Sequence, residues 1–455
     1  MNIEGIIEKQ RGFFHSNRTK DIRYRTEQLK KLQQLLKENK SLLYQAINAD
    51  FGKSMFDTFM TELSLVYHEI NKALKNLKKW SSPKRTTSGL FLFPGKSYII
   101  PEPLGNTLII GAWNYPYQLT LIPAISALAA GNTVLLKPSE IAAESSKALA
   151  HIINRNFPSE YFYVIEGGVD ETTALLNNRF DKIFFTGSSQ VGKIIYEAAS
   201  KQLTPVTLEL GGKNPTFVFA DSPIKMTAKR LVWAKFLNAG QTCVAPDYVL
   251  VESSIEQSFL QAMKDEIEMR FDKNKLTENY TRIINTRNFD RLVNLIDQNK
   301  ISTGGFTNRA ERYISPTILQ CVSFSDHIMK DEIFGPILPV IPFTNLDETI
   351  AQVKSKPKPL ACYIFSKDRR KTAQILTEIS FGGGSINDSV MHLANTNLPF
   401  GGVGLSGIGS YHGQAGFDSF SHHKSIYEKP FWFELKLKYA PYSKRKLSLI
   451  KWLLE

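Results

Sequence analysis

Cysteine is scarce in this chain: Cys243, Cys321 and Cys362 are the only 3 among 455 residues. An odd, widely spaced set without a C-x-x-C pair argues against a disulfide framework and for a reducing cytoplasm. Long apolar runs are also missing. No stretch approaches the roughly 18 to 20 apolar residues of a membrane span, and the start, MNIEGIIEKQRGFF, lacks the apolar segment and cleavage site of a signal peptide. The net charge is +13, yet the lysines are scattered and no basic run alternates with aromatics, so nucleic acid is not the expected partner. The 8 histidines form no H-E-x-x-H and no cluster with ligand spacing, and no metal is expected. The absence of a G-x-S-x-G elbow disfavours a serine hydrolase.

What is present is a long alternation of apolar segments, in a chain too large for one hydrophobic core. Residues 20 to 80 carry two helical stripes, Leu29, Leu32, Leu35 and Leu36, then Leu63, Val66, Ile70, Leu74 and Leu77. Each reads as a face packed on a sheet. Leu90 to Phe93, Pro94-Gly95 and Ser97 to Ile100 read as strand, turn and strand, a hairpin that needs a partner to be stable. Five short apolar strands then begin at Thr107, Thr133, Tyr161, Lys182 and Val206, separated by helical segments. A second series begins at Thr216, Tyr248, Ile337, Leu360 and Ser385. Continuous apolar strands spaced by helices indicate parallel sheets covered on both faces, hence two α/β units with a cleft between them. Cys321 and Cys362 lie in such apolar runs and read as packing.

Cys243 is different. It follows Asn238-Ala239-Gly240-Gln241-Thr242, and an apolar helix reads as ending at Gly240, which leaves the thiol exposed in a loop. Four other segments carry polar groups just beyond strand ends: Ala112-Trp113-Asn114-Tyr115-Pro116, Lys137-Pro138-Ser139-Glu140, Phe185-Thr186-Gly187-Ser188 and Glu209-Leu210-Gly211-Gly212-Lys213. Open α/β sheets bind ligands at that edge. Glu332-Ile333-Phe334-Gly335-Pro336 adds another carboxylate beside an aromatic ring. Two matches mislead. Gly187 to Lys193 spells a P-loop, but Ile194 stands where Ser or Thr must hold Mg²⁺. Gly402 to Gly407 spells G-x-G-x-x-G without a preceding strand or following helix, and reads as a tight turn.

Taken together, these six segments resemble the aldehyde dehydrogenase superfamily, in its order, from the N-terminal helices to about His423. Trp113-Asn114-Tyr115-Pro116, Tyr411-His412-Gly413 and Phe417-Asp418 resemble its class 3 branch, which acts on fatty and aromatic aldehydes. The resemblance implies an α/β fold of two Rossmann-like parallel-sheet domains with a small β bridging arm. Residues 1–82 and 102–211 would form the NAD-binding domain and 212–400 the catalytic domain. Residues 83–101 and 401–435 would form the arm, and 436–455 a basic amphipathic tail. It also implies that Cys243 is the nucleophile and that Asn114 and the Cys243 N–H hold the oxyanion. Glu209 is the favoured base for thioester hydrolysis, with Glu332 the alternative. Among cofactor contacts, Lys137 and Glu140 would face the adenosine ribose and Trp113 the adenosine side. Thr186 would face the nicotinamide, Gly187 would allow close backbone approach, Ser188 would meet a phosphate, and Glu332 and Phe334 would lie by the nicotinamide ribose. Glu140 favours NAD over NADP, although class 3 relatives often accept both.

The expected reaction is oxidation of an apolar aldehyde to the acid. The rivals are an acyl-CoA-forming or phosphate-dependent reductase of the same superfamily, and a catalytically silent NAD-binding scaffold. A homodimer is implied. The tail, with Lys444-Arg445-Lys446 before Leu447, Leu449, Ile450, Trp452, Leu453 and Leu454, reads either as a helix docked on protein or as a peripheral membrane contact.

Overall fold

A computed structural model describes residues 2–271 and 280–454. One sheet has six strands in the order Gly407–Ile408, Val206–Glu209, Lys182–Thr186, Asn106–Ile110, Thr133–Lys137 and Phe162–Val164. All neighbours run parallel except the first pair, in which Gly407 lies opposite Glu209. Its middle three strands are buried along their whole length, as their unbroken apolar runs require. Strand order reverses direction beside Asn106–Ile110, so a crevice opens beyond the carboxyl ends of that strand and Lys182–Thr186. Asn114 and Thr186 sit at those two ends.

The second sheet has seven strands: Ile301–Thr303, Thr317–Leu319, Ile337–Phe343, Tyr248–Glu252, Pro215–Val218, Ala361–Phe365 and Gly383–Ile386. Only Ile301–Thr303 is antiparallel to its neighbour. Both expected strand series are therefore present as parallel sheets, within three residues of their expected limits.

Four local expectations change. The helices Ile22–Glu38 and Ser64–Ser81 bury the expected stripes, but they pack mainly on each other and on the helix Gln118–Ala130. That helix is buried all round, as its uniformly apolar sequence demands, and separates them from the sheet. The arm hairpin is also shifted. Its first strand is Lys84–Thr86, paired with Lys96–Pro103, while Leu90–Leu92 is a single 3₁₀ turn with Leu90 and Phe93 exposed. Pro94 has no N–H to extend a ladder at the end of that apolar run. Ser421–Glu428 completes a three-stranded antiparallel arm. Cys362 is buried as expected, whereas Cys321 is exposed at φ 52°, just past the strand that its run predicts. The fourth change concerns the loop before Cys243.

Candidate active site

The helix Ile224–Phe236 stops at Leu237, earlier than Gly240. Asn238, Ala239 and Gly240 then take φ of 54°, 51° and 70°, three consecutive left-handed residues. Gly240 is required there, because a Cβ would lie 2.2 Å from the Gly335 carbonyl oxygen. Asn238 and Ala239 hold a conformation that non-glycine residues seldom adopt, so their surroundings must impose it. Asn238 Nδ2 donates to the Asn114 carbonyl at 2.9 Å and the Gln241 carbonyl at 3.1 Å. Gln241 Nε2 donates to the carbonyls of Asn238 at 3.1 Å and Arg282 at 3.0 Å, and its Oε1 accepts the Ile284 N–H at 3.0 Å. Beyond the cysteine, Asn214 Nδ2 donates to the carbonyls of Cys243 at 2.7 Å and Ala245 at 3.0 Å.

Cys243 is held half-buried, not exposed as the sequence suggested. Burial pushes its thiol up to about 12, and the Glu332 and Glu209 carboxyls add to the shift. The N–H groups of Val244 and Cys243 act in the opposite direction. Both candidate bases therefore face the sulfur electrostatically. Glu209 is buried at the end of its strand, and neither carboxyl oxygen has a partner among the described residues. Burial alone raises its pKa well above the usual carboxylate range. Glu332 is pushed up to about 8 by burial and by Asp247, against the Gly212 N–H, Lys213 and Arg291. Its carboxylate lies so close to Gly211 that a Cβ there would fall 1.9 Å from Oε2. Lys213 pairs with Asp247 at 2.5 Å and donates to the Ile328 and Asp331 carbonyls, while Asp247 accepts the Ile333 N–H at 2.9 Å. The backbone around Glu332 is thus fixed from both sides.

Asn114 is buried, and its Nδ2 donates to the Gln241 carbonyl at 3.1 Å, two residues before the thiol. The adjoining Trp113 meets Phe334 edge to face, with ring centroids 5.4 Å apart. Farther along the same sheet edge, the buried Lys137 donates to the Pro138 carbonyl at 3.0 Å and pairs at 3.4 Å with Glu140, whose side chain is half-exposed. Thr186 Oγ1 is buried without a partner among the described residues. Gly187 has no room for a side chain, since a Cβ would meet the Phe185 ring at 2.5 Å. Ser188 is exposed and caps the helix Ser189–Ser200 through the Val191 N–H. An orphaned hydroxyl, a bare backbone and a helix start at the sheet switch suit a dinucleotide's polar groups.

Residues 1–426 match the aldehyde dehydrogenase family. The chain belongs to that family. It is 45% identical over 452 residues to 4,4'-diaponeurosporen-aldehyde dehydrogenase of Staphylococcus aureus, covering 99% of this chain and 98% of that one. It is 43% identical over 455 residues to aldehyde dehydrogenase family 3 member A2 of Pongo abelii, covering 99% and 94%. Among solved structures, the substrate-bound state of Staphylococcus aureus AldH superposes with a TM-score of 0.98 at 45% identity, over 100% of both chains. The class 3 resemblance, the α/β fold and the assignment to NAD(P)-dependent aldehyde dehydrogenases stand on these likenesses.

The structure brings Glu209 and Glu332 into the field of the Cys243 sulfur and ties the Asn114 amide to the Gln241 carbonyl, two residues before it. The residues that hold them carry little signal in sequence: Asn238 and Gln241 read as flanks of the cysteine, and Asn214, directly after Lys213, stands outside any motif. Their amides meet backbone groups up to 147 residues away, as in the Asn214 contact to Ala361.

Proposed function

We propose that this enzyme oxidises an apolar aldehyde to the carboxylic acid through a thioester on Cys243. The observation that carries this reading is the convergence of two desolvated carboxyls and a desolvated thiol beside the Asn114 amide. Sulfur attack on the carbonyl carbon forms the C–S bond, passes the thiol proton to a neighbouring ionised carboxylate and moves an electron pair onto oxygen. The Asn114 amide and the Cys243 N–H then serve that oxyanion, and one such donor lowers the barrier by roughly 3 kcal/mol. A bound nicotinamide dinucleotide supplies the hydride acceptor. In its ionised form Glu209 removes a proton from water as its oxygen attacks the thioester, which releases the acid and restores the thiol. The Glu209 oxygens have no protein partner among the described residues, whereas Glu332 accepts the Gly212 N–H. We therefore assign Glu332 and Phe334 to the nicotinamide ribose. Trp113 touches Phe334 and adjoins Asn114, so we place it at the nicotinamide end as well, not at the adenosine. Lys137, Glu140, Thr186, Gly187 and Ser188 keep the cofactor roles that the resemblance implies. The exposed Glu140 carboxylate would repel a 2′-phosphate, which favours NAD.

The acyl group is assigned from the aromatic packing near the thiol and from the likeness to relatives. Burial and the Cys243 charge both raise the pKa of Tyr363 and of Tyr411, which places both rings in the sulfur's field. Phe400 stacks on His412 with centroids 5.2 Å apart, and His392 stacks on its ring at 6.2 Å. Desolvation drives the two histidines down to about 4 and about 3, so both stay neutral. Neutral aromatic packing around the thiol suits long-chain, aromatic or polyene aldehydes, and one relative is named for diaponeurosporen-aldehyde. A panel of decanal, benzaldehyde and a polyene aldehyde, compared by kcat/KM, tests this. Nicotinamide reduction with acid as product is expected, and none with Cys243→Ala. A hydrophilic aldehyde preferred over all three would overturn it, and acyl-CoA product would favour the reductase rival.

We further propose a cytoplasmic homodimer with peripheral membrane contact. The arm exposes Leu90 and Phe93, and beside it Phe431 and Trp432 are also exposed, an apolar surface for a second copy. The tail helix Lys444–Leu454 buries none of its residues, and Leu447, Leu449, Trp452 and Leu454 face outward between basic residues. It touches the turn Leu90–Leu92. No helix of the described residues is long and apolar enough to cross a membrane, so contact would be in the plane of the surface.

A further inference from the structure

The turn that carries Asn114 is fastened by a buried ion pair. Lys53 and Glu62 are 1% and 0% exposed, with Nζ and Oε1 3.4 Å apart. Glu62 lies in a π-helical turn, Phe59–Leu63, inserted between Met55–Thr58 and Ser64–Ser81. Such insertions are rare and recur at functional sites. Glu62 Oε2 accepts the N–H groups of Tyr117 at 3.0 Å and Gln118 at 2.8 Å, donors that the start of Gln118–Ala130 leaves unsatisfied. The Lys53 ammonium lies 4.1 Å from the centroid of the Tyr115 ring, within cation–π range. The Tyr115 hydroxyl in turn bonds Thr242 Oγ1 at 2.7 Å. Residues 114 and 115 thus grip 241 and 242, the two residues before the thiol.

Stability alone does not explain such a pair. Isolated ion pairs of this kind seldom improve on apolar packing, because desolvation of both charges offsets their attraction. Burial here pulls Lys53 down and Glu62 up, each toward its neutral form, and Asp57 is the other carboxylate that faces Lys53. The pair instead connects the first helical layer to the reacting groups. We propose that Lys53, Glu62 and Tyr115 are positioning residues that hold the Asn114 amide and the Cys243 sulfur in register around the aldehyde carbon. This rests on the roles given above to Cys243 and Asn114. A misplacement of about 1 Å between a nucleophile and its oxyanion donor lowers turnover by up to roughly a hundredfold.

Tyr115→Phe removes only the hydroxyl contact to Thr242. It should fold normally and lower kcat about tenfold, a partial loss of the alignment that the hydroxyl contact secures. KM and NAD affinity, the latter read by nicotinamide fluorescence, should stay within about twofold. The double variant Lys53→Met/Glu62→Gln keeps side-chain volume and an acceptor for Tyr117 and Gln118 while removing both charges. It should lower kcat with the same unchanged KM. A purely structural role would instead lower the melting temperature and leave kcat per folded enzyme intact. That result, or a rise in KM at constant kcat, overturns the proposal. If the double variant does not fold, Tyr115→Phe decides alone. Cys243→Ala separates the two levels: if it retains turnover, the nucleophile assignment fails first. If it is inactive while Tyr115→Phe keeps wild-type kcat, the positioning role fails alone.

Discussion

Replacing Glu209 with Gln should make this enzyme more stable and nearly unable to turn over. Glu209 is buried, its oxygens lack partners among the described residues, and burial raises its pKa well above 4.5. Its unfolded-state pKa is close to 4.5, so above that pH the folded state binds more protons than the unfolded one. Stability then falls as pH rises through the interval up to the folded pKa. Each pH unit within that interval costs the folded state ~1.4 kcal/mol relative to the unfolded one. The amide has the same shape and no charge to desolvate. The difference in melting temperature, Glu209→Gln minus wild type, should be near zero below pH 4.5 and grow as pH rises to 7. Glu69 and Glu332, pushed up to about 7 and about 8, titrate in both proteins and cancel in that difference. Losing the base should slow thioester hydrolysis by roughly 10² to 10⁴. One equivalent of reduced nicotinamide should appear rapidly, and intact-protein mass spectrometry should show the acyl group retained on Cys243. Wild-type turnover would remove Glu209 from the base role and leave Glu332. A melting difference that does not change with pH would refute the electrostatic argument itself.

Three further outcomes follow from the site. Because the ligand-free thiol is pushed up to about 12, its alkylation by iodoacetamide should rise about tenfold per pH unit from 7 to 10, since only the thiolate reacts; a plateau below pH 9 would show a thiol already ionised. Glu140→Ala should raise kcat/KM for NADP relative to NAD, by about fivefold for loss of one exposed charge; an unchanged ratio would mean that Glu140 faces away from the ribose. Deleting the residues after Tyr442 should leave turnover of soluble aldehydes intact and reduce binding to anionic liposomes, and undiminished binding would rule out the tail as the contact.

Much of this molecule is legible in sequence because its informative patterns are local. The central strands are unbroken apolar runs, and the groups that face ligand follow them within a few residues, so Asn114, Thr186 and Glu209 could be placed at one sheet edge. Where several conformations satisfy a local pattern, the reading slips. Leu90 to Phe93 is apolar enough for a strand, but its pairing is decided by Lys96–Pro103, which prefers Lys84–Thr86. Glycine is the usual stop, so the sequence predicts a helix running to Gly240 before Cys243, yet side-chain amides of Asn238 and Gln241 end it three residues sooner. Those amides bond to backbone at Asn114 and Arg282, partners that only the fold brings near. The same holds for Lys53 and Glu62. In sequence they are a lysine and a glutamate in a helical region rich in both, with nothing to mark them as buried. The chemistry of Cys243 is accordingly written in two scales. Its identity and its neighbours Gln241 and Thr242 are local, whereas its height on the pKa scale is set by burial with Glu209 and Glu332, and its aim at an oxyanion donor by Asn114, all far outside that segment. A substitution that spares every motif can therefore still disable the site, as Tyr115→Phe is expected to do.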